Sequence, residues 1–358
     1  MVQQDVRFDA AFGAPELRPG KNRSRHKDTA VVTGATGHVG NVLVRKLLDC
    51  GASVRAMVLP GEDSRPLAGL DVQCVEGDVR NLDTLRSAFA GTSTVYHLAG
   101  LISILSGRTE ALHAVNVVGT RNVVRACEEC GVARMVYVSS AHALVEPPHG
   151  TAITEAAGSD PSKIVGPYAQ SKARATQEVL LGVERGLDAV VVFPSGVVGP
   201  YDFNVSDMGQ LILDFLNRRL PAYVEGAYDF VDIRDVVNGI IAAGQKGRKG
   251  EGYILSGELL SVSRLMALLQ ELTGVSAPSL RLPQWIARIA AVFTPFLSSV
   301  TGKKPRFTSY SLRVLRSNGL MDCSKARREL DYTARPLKAS IADAVEWFRT
   351  SDLWPPRV

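Results

Sequence analysis

Residues 29–40 read TAVVTGATGHVG, a short apolar run that passes straight into Gly34, Gly37 and Gly40 at G-x-x-G-x-x-G spacing. The run has the length and β-branched content of a buried strand, and Val42, Leu43, Leu47 and Leu48 then recur on one helical face. Strand, glycine-rich turn and helix in that order aim the N–H groups of a helix N-terminus at a pyrophosphate. The glycines serve the tight turn, the close approach of backbone to phosphate and the packing of helix on strand. Thr36, His38 and Val39 share the turn and join the three glycines as dinucleotide-binding candidates.

Outward from this unit the rhythm repeats. SVRAMVL (53–59), DVQCVEG (71–77), STVYHLAG (93–100), ARMVYVSS (133–140) and DAVVVFPSG (188–196) are strand-like, with helical stretches near 80–89, 114–130 and 168–185. Alternating strands and helices imply parallel pairing. The fold class expected is α/β: a Rossmann-type doubly wound parallel sheet with a smaller, mainly helical C-terminal substrate lobe. Residues 29–200 form the nucleotide-binding domain, and 229–256 return to it through YDFVDIRDVV and EGYILSG. Residues 201–228 and 257–358 form the lobe.

With 358 residues, 46% hydrophobic and 22% charged, the chain is globular rather than disordered. Its net charge of +5 is an N-terminal feature, because Arg18, Lys21, Arg23, Arg25 and Lys27 cluster without an acid, and the remaining 36 basic residues match 36 acidic ones. That distribution gives no reason to expect nucleic acid. Residues 1–28 read as a polar, disordered tail. No secretory signal precedes the first strand, and the five cysteines are odd in number and dispersed, so a reduced, cytoplasmic setting is expected. Cys127 and Cys130 form a C-x-x-C without a second pair at metal spacing, and no metal is expected. In residues 282–302 the longest charge-free run is 14 residues, against about 20 for a membrane span. This stretch reads as an amphipathic cap over a pocket or as a weak contact with a membrane surface. Trp285, Ile286, Ile289, Val292 and Phe293 make a helical stripe within it, either core or pocket roof.

The place after the second strand, near Leu59, carries no acid to hold ribose hydroxyls, while Arg55 and Arg65 flank it and could pair a 2'-phosphate. NADP(H) is therefore slightly preferred over NAD(H). Asp78 and Val79 follow the third strand, where an adenine would be met. Leu98, Ala99 and Gly100 end the fourth with side chains that permit close contact.

YAQSK (168–172) sets Tyr168 and Lys172 one helical turn apart, on one face. A tyrosine can give or take a proton near neutral pH only if its pKa falls from about 10, and a nearby ammonium favours the phenolate. Ser140, at the end of the fifth strand, can fix a substrate oxygen for hydride transfer. His142 is near enough to face the substrate, or is a satisfied structural group. His97 and His113 receive no role.

Taken in order, TGATGHVG, HLAG, NVVGT (116–120), SSA and YAQSK resemble the extended short-chain dehydrogenase/reductase family. The likeness runs over about 29–350 and is nearest to the dihydroflavonol reductase, 3-beta-hydroxysteroid dehydrogenase and hopanoid-associated sugar epimerase branch. It implies that Ser140, Tyr168 and Lys172 are catalytic with Asn116 as a fourth member, that Tyr168, Lys172, Pro194 and Val197 touch the cofactor, and that the protein is a homodimer. Phe193, Gly196, Val198 and Tyr228 stand where the nucleotide-sugar branch carries arginine, asparagine and other polar groups. The function expected is hydride transfer to or from a secondary alcohol or ketone on a hydrophobic cyclic substrate. The alternatives are a nucleotide-sugar epimerase or dehydratase with tightly bound NAD, and a non-catalytic cofactor-sensing or assembly protein.

Overall fold

A computed structural model of the chain describes residues 29–102, 108–283, 285–286 and 315–353. The basic segment 1–28 and most of 282–302, including Ile289, Val292 and Phe293, lie outside the described residues.

The main sheet takes β1 (Thr29–Thr33), β2 (Ser53–Val58), β3 (Gln73–Glu76), β4 (Thr94–His97), β5 (Arg134–Val138), β6 (Ala189–Pro194) and β10 (Gly252–Leu255), numbered in chain order. Their spatial order is β10-β6-β5-β4-β1-β2-β3, and every pairing is parallel. The sequence of β6 suits its place between β10 and β5, since all of AVVVFP is buried, as a parallel strand covered on both faces requires. One helical layer consists of α2 (Leu82–Phe89), α4 (Gly119–Glu129) and α5 (Pro167–Glu184) side by side, and α1 (His38–Asp49) packs with α7 (Ile233–Lys246) in another. From β1 the chain moves out to β2 and β3, then returns to place β4 on the other side of β1. Ligands of such sheets bind at the carboxyl ends of the strands at this reversal.

A short helix α3 (Thr109–Leu112) runs into α4 through a π-helical turn, His113–Val118. Helices widened in this way frequently mark functional positions. Asn116 lies in this turn and is buried.

The second core is built by α6 (Asp207–Leu216), α8 (Val262–Thr273) and α10 (Leu337–Thr350), with Phe215, Leu269 and Phe348 fully enclosed. Over it lies a small sheet in which β9 (Ala227–Asp232) pairs in parallel with β7 (Gly196–Val198) and antiparallel with β11 (Glu258–Ser261). A separate pair joins β8 (Ala222–Val224) to β12 (Leu280–Leu282).

The structure distributes three segments differently from the sequence expectation. Of YDFVDIRDVV, α7 covers the main sheet, whereas the strand β9 stays in the small one. β7, numbered among 29–200, also belongs to the small sheet. Helix α9 (Ser324–Leu330), numbered among 257–358, packs on α7 and β10. Its apolar Ala326 and Leu330, with Tyr332 beyond them, complete the main core, and the Tyr332 hydroxyl donates to the Ser256 carbonyl at 3.0 Å.

A buried ionic knot fastens the lobes together. At the start of α7, Arg234 donates to Asp232 at 2.9 and 2.7 Å and to Asp343 of α10 at 2.5 Å. Arg335 donates to Asp235 at 2.8 to 3.1 Å.

Candidate active site

At the end of β1 the backbone of Gly34 turns into the left-handed region at φ 69°, and a Cβ there would stand 2.7 Å from the Ala99 nitrogen. Only glycine satisfies both demands. Gly37 is the N-cap of α1 and supplies no side-chain acceptor, so the helix opens toward the turn with its first N–H groups uncapped by any side chain. Uncapped N–H groups at a helix N-terminus after a glycine turn form an anion cradle, which fits the pyrophosphate of an NAD(P) cofactor. The strap after β7 closes over it. His38 Nε2 meets the Pro200 carbonyl at 2.9 Å, Asn41 donates to the Tyr201 carbonyl at 3.1 Å, and Asn204 donates to the Thr36 carbonyl at 3.2 Å. Tyr201 pays with a positive φ of 66°. No sequence motif marks this strap.

β1 and β4 are joined at their ends by side chains. Thr33 Oγ1 accepts from the N–H groups of Leu98 and Ala99 at 3.2 and 3.1 Å, and therefore donates to His97 Nδ1 at 2.8 Å. That leaves His97 Nε2–H to donate to Thr120 at 2.9 Å. Burial, aided by the charge of Lys172, lowers His97 to about 3, so the ring is a neutral structural link.

The other expected cofactor residues are spread along the same edge. Leu59 follows β2, Asp78 and Val79 follow β3, Leu98 to Gly100 follow β4, and Pro194 ends β6 with Val197 just beyond in β7. Two arginines are committed elsewhere. Arg55 donates to the Ala88 and Ala90 carbonyls at 3.1 and 2.7 Å, at the end of α2 and away from the glycine-rich turn. Arg65 is paired with Asp63 at 2.6 Å. Sequence reading missed Glu62, whose carboxylate accepts from the Thr36 hydroxyl at 2.6 Å and from the Leu59 N–H at 2.9 Å.

Ser140, Tyr168, Lys172 and Asn116 come together over β4 and β5. Gly166, at φ 106°, and Pro167 start α5 so that Tyr168 lies in its first turn and Lys172 one turn later. Lys172 is buried. Its Nζ donates to the Val138 carbonyl at 2.7 Å and lies 4.5 Å from the centre of the Tyr137 ring. Burial lowers its pKa to about 7. Tyr168 is partly exposed, but its hydroxyl end is desolvated and is pushed up to about 12, with the facing Ser140 hydroxyl working the other way. In the ligand-free protein the phenol is thus firmly protonated. Ser140 Oγ accepts from the His142 N–H at 3.3 Å. Asn116 grips the loop after β4, accepting from the Leu101 N–H at 2.7 Å and donating to the Leu101 carbonyl at 3.0 Å and to Ser171 at 2.8 Å.

His142 stacks on Tyr228 with ring centroids 5.3 Å apart, and its Nε2 is 2.9 Å from the Tyr228 hydroxyl. Burial lowers this histidine to about 4. Phe230 sets its edge against Tyr228 at 5.5 Å, and both rings crowd Gly196, where a Cβ would meet them at 2.7 to 2.9 Å. The wall beside Ser140 is therefore neutral and aromatic. The pairing of His142 with Tyr228 spans 86 residues and has no local signature.

Cys127 is buried, and desolvation raises its thiol well above the ordinary range. Among the described residues no helix is long and apolar enough to cross a membrane.

Residues 30–256 match the NAD dependent epimerase/dehydratase family model. The chain is 40% identical over 323 residues to "Sterol demethylase protein B" of Methylococcus capsulatus, covering 90% of this chain and 98% of that protein. It is 30% identical over 322 residues to the 4-hydroxy-2-methyl-3-oxo-4-farnesyl-3,4-dihydroquinoline-1-oxide ketoreductase of Stigmatella aurantiaca, covering 88% and 94%. Among solved structures, gox2253 superimposes with a TM-score of 0.79 at 35% identity, covering 90% of this chain and 98% of that one. A dinucleotide cradle at the sheet reversal, the family match over 30–256 and near full-length likeness to a named ketoreductase lead to one assignment: the chain belongs to the NAD-dependent epimerase/dehydratase family, in the extended short-chain dehydrogenase/reductase branch, and is an NAD(P)-dependent oxidoreductase.

Proposed function

We propose that the protein transfers a hydride between the nicotinamide and a secondary alcohol or ketone carbon of a hydrophobic cyclic substrate of flavanonol or steroid size. The neutral aromatic wall of His142, Tyr228 and Phe230 next to Ser140 is the observation that carries this reading. Such a wall offers stacking and apolar area, and a nucleoside diphosphate would find no cation among these three side chains. The relative named for sterol demethylation supports a sterol-like ring system, and the relative named a ketoreductase supports a ketone.

Gly34, Gly37 and Gly40 with the N-terminus of α1 hold the pyrophosphate, and Tyr168, Lys172, Pro194 and Val197 border the nicotinamide end. The cofactor, when bound, supplies or accepts the hydride. In the reducing direction the Tyr168 hydroxyl gives its proton to the substrate oxygen, and the protonated phenol is the form that this step uses. Ser140 donates a hydrogen bond to the same oxygen and fixes its distance from the reacting carbon. Lys172, one turn along α5 from Tyr168, in its protonated form favours the phenolate that remains. Asn116 acts through the loop at Leu101, and is a positioning residue in this scheme.

The test is the initial rate of NADH and NADPH oxidation across flavanonols and ketosteroids, with Tyr168→Phe alongside. Turnover should fall about 10²- to 10⁴-fold in the variant. Full turnover without the hydroxyl would overturn the assignment of the acid. Conversion of a UDP-sugar without net cofactor consumption, with silence on the ketones, would replace the substrate class.

A further inference from the structure

Burial works against the charge of Lys172. It brings the pKa down to about 7, and among the described residues no carboxylate pairs with the ammonium. A group titrating there is an uncharged amine in about half of the molecules at neutral pH, and an amine gives Tyr168 no electrostatic help. The titratable groups around it are neutral as well: His97 from β4, Tyr137 from β5 and Tyr168 from its own helix. Two contacts remain to hold the proton, the Val138 carbonyl at 2.7 Å and the face of the Tyr137 ring, whose centre lies 4.5 Å from Nζ.

Tyr137 belongs to no motif. It is fully enclosed in β5, and its partner across the β4–β5 pairing is His97, whose ring stacks on it with centroids 5.4 Å apart. His97 is pinned in turn by Thr33 and Thr120 at 2.8 and 2.9 Å. The tyrosine ring is thereby fixed with its electron-rich face toward the ammonium. Its hydroxyl is buried beside Thr120 and Ser139 and completes no hydrogen bond of regular geometry among the described residues. What the site uses of Tyr137 is therefore the ring.

We propose that Tyr137 is a positioning residue of the hydride-transfer site: its ring face holds Lys172 in the ammonium form, so that the charge is present when Tyr168 gives up its proton. The inference rests on the reading of Tyr168 as the acid and Lys172 as its partner. The attraction of a desolvated ammonium to a tyrosine face is equivalent to about one pH unit. Loss of the lysine proton removes the charge that favours the phenolate, so turnover falls as pH rises through the lysine midpoint. A ring without that attraction moves the fall to lower pH.

Lys172 is titrated by NMR in the full chain, without cofactor or substrate, using lysine isotope-labelled at Cε, and its signal is the one that Lys172→Met removes. Tyr137→Phe keeps the ring face and gives up only the idle hydroxyl. Tyr137→pentafluorophenylalanine, placed at a recoded codon, keeps the shape and reverses the charge distribution of the ring. Wild type and Tyr137→Phe should titrate together, and the fluorinated ring should lower the midpoint by about one pH unit. With NADH or NADPH and a ketosteroid as probe, the alkaline fall in kcat should move down by the same amount while KM for the cofactor stays. An unmoved midpoint, an equal shift in Tyr137→Phe, or a moved midpoint with an unmoved kcat profile would overturn the proposal. Absence of ketosteroid turnover in the wild type would count against the substrate class instead, and the midpoints would still decide the role of the ring.

Discussion

Replacing Lys172 by methionine should stabilise the cofactor-free protein at neutral pH while removing its activity. The ammonium is enclosed, and burial lowers its pKa from 10.5 to about 7. At ~1.4 kcal/mol per pH unit, that displacement sets ~5 kcal/mol as the most that this lysine costs the fold at pH 7. Methionine fills similar space but leaves the Val138 carbonyl without its donor, a loss of about 1–3 kcal/mol, and gives up about 1 kcal/mol of attraction to the Tyr137 ring. The net gain expected at pH 7 is then about 1–3 kcal/mol, by the same balance. Its pH dependence is the sharper test. The unfolded lysine keeps its proton up to its ordinary value of 10.5, and the folded one releases it near 7. Between those limits the unfolded chain binds more protons, so wild-type stability rises with pH by ~1.4 kcal/mol per unit. The contribution of the lysine is complete above 10.5 and is lost as pH falls through about 7. The advantage of methionine must therefore shrink by ~2–3 kcal/mol between pH 7 and pH 9. Urea denaturation of both proteins at pH 7, 8 and 9 without cofactor measures this. A variant less stable than wild type at pH 7, or a difference flat across pH, would refute the reasoning.

Gly34→Ala forces a left-handed alanine against the Ala99 backbone. It should cost about 1–3 kcal/mol in thermal denaturation and abolish dinucleotide binding, and unaltered binding would show that the turn is not the cradle. Arg234→Ala removes two charge-assisted hydrogen bonds from buried Asp232 and leaves it Arg335 at 3.6 Å, which should cost about 1.5–3 kcal/mol in urea denaturation. Burial raises Asp232, but the hydrogen bond and charge of Arg234, with the charge of Arg335, more than offset it and hold the carboxyl below its ordinary value. This stabilisation is complete above 3.8 and is lost as pH falls through the lowered value, so the variant should also unfold in acid at a higher pH than the wild type.

The nucleotide-binding fold was legible because its signals are local. A strand, three glycines and a helix lie within twenty-odd residues, and Tyr168 and Lys172 are fixed to each other by one helical turn. Ser140 is legible for the same reason, as a hydroxyl at a strand end. The rest arises from packing between distant segments. Nothing around Arg55 tells that its guanidinium turns to the carbonyls ending α2, because that helix closes more than thirty residues later. Glu62 lies outside any strand-end register, and the backbone turn at Gly61 alone brings it back. His142 and Tyr228 carry no mutual pattern, although the replacement of a charged residue by Tyr228 was a readable hint of the aromatic wall. The periodicity through 114–130 announced a helix, but not that His113–Val118 would be wound as a π turn.

The way the chain shuttles between the two cores has a consequence for how this scaffold can change. From β6 it leaves for β7, comes back with α7 and β10, leaves again with β11 and α8, returns with α9 and ends on α10. The second lobe is consequently not a detachable module with its own start and finish. It cannot be grafted whole from one relative to another without cutting the main sheet at several points. If the aromatic wall reads the substrate as proposed, libraries for altered specificity should be drawn from single side chains along it rather than by recombining halves.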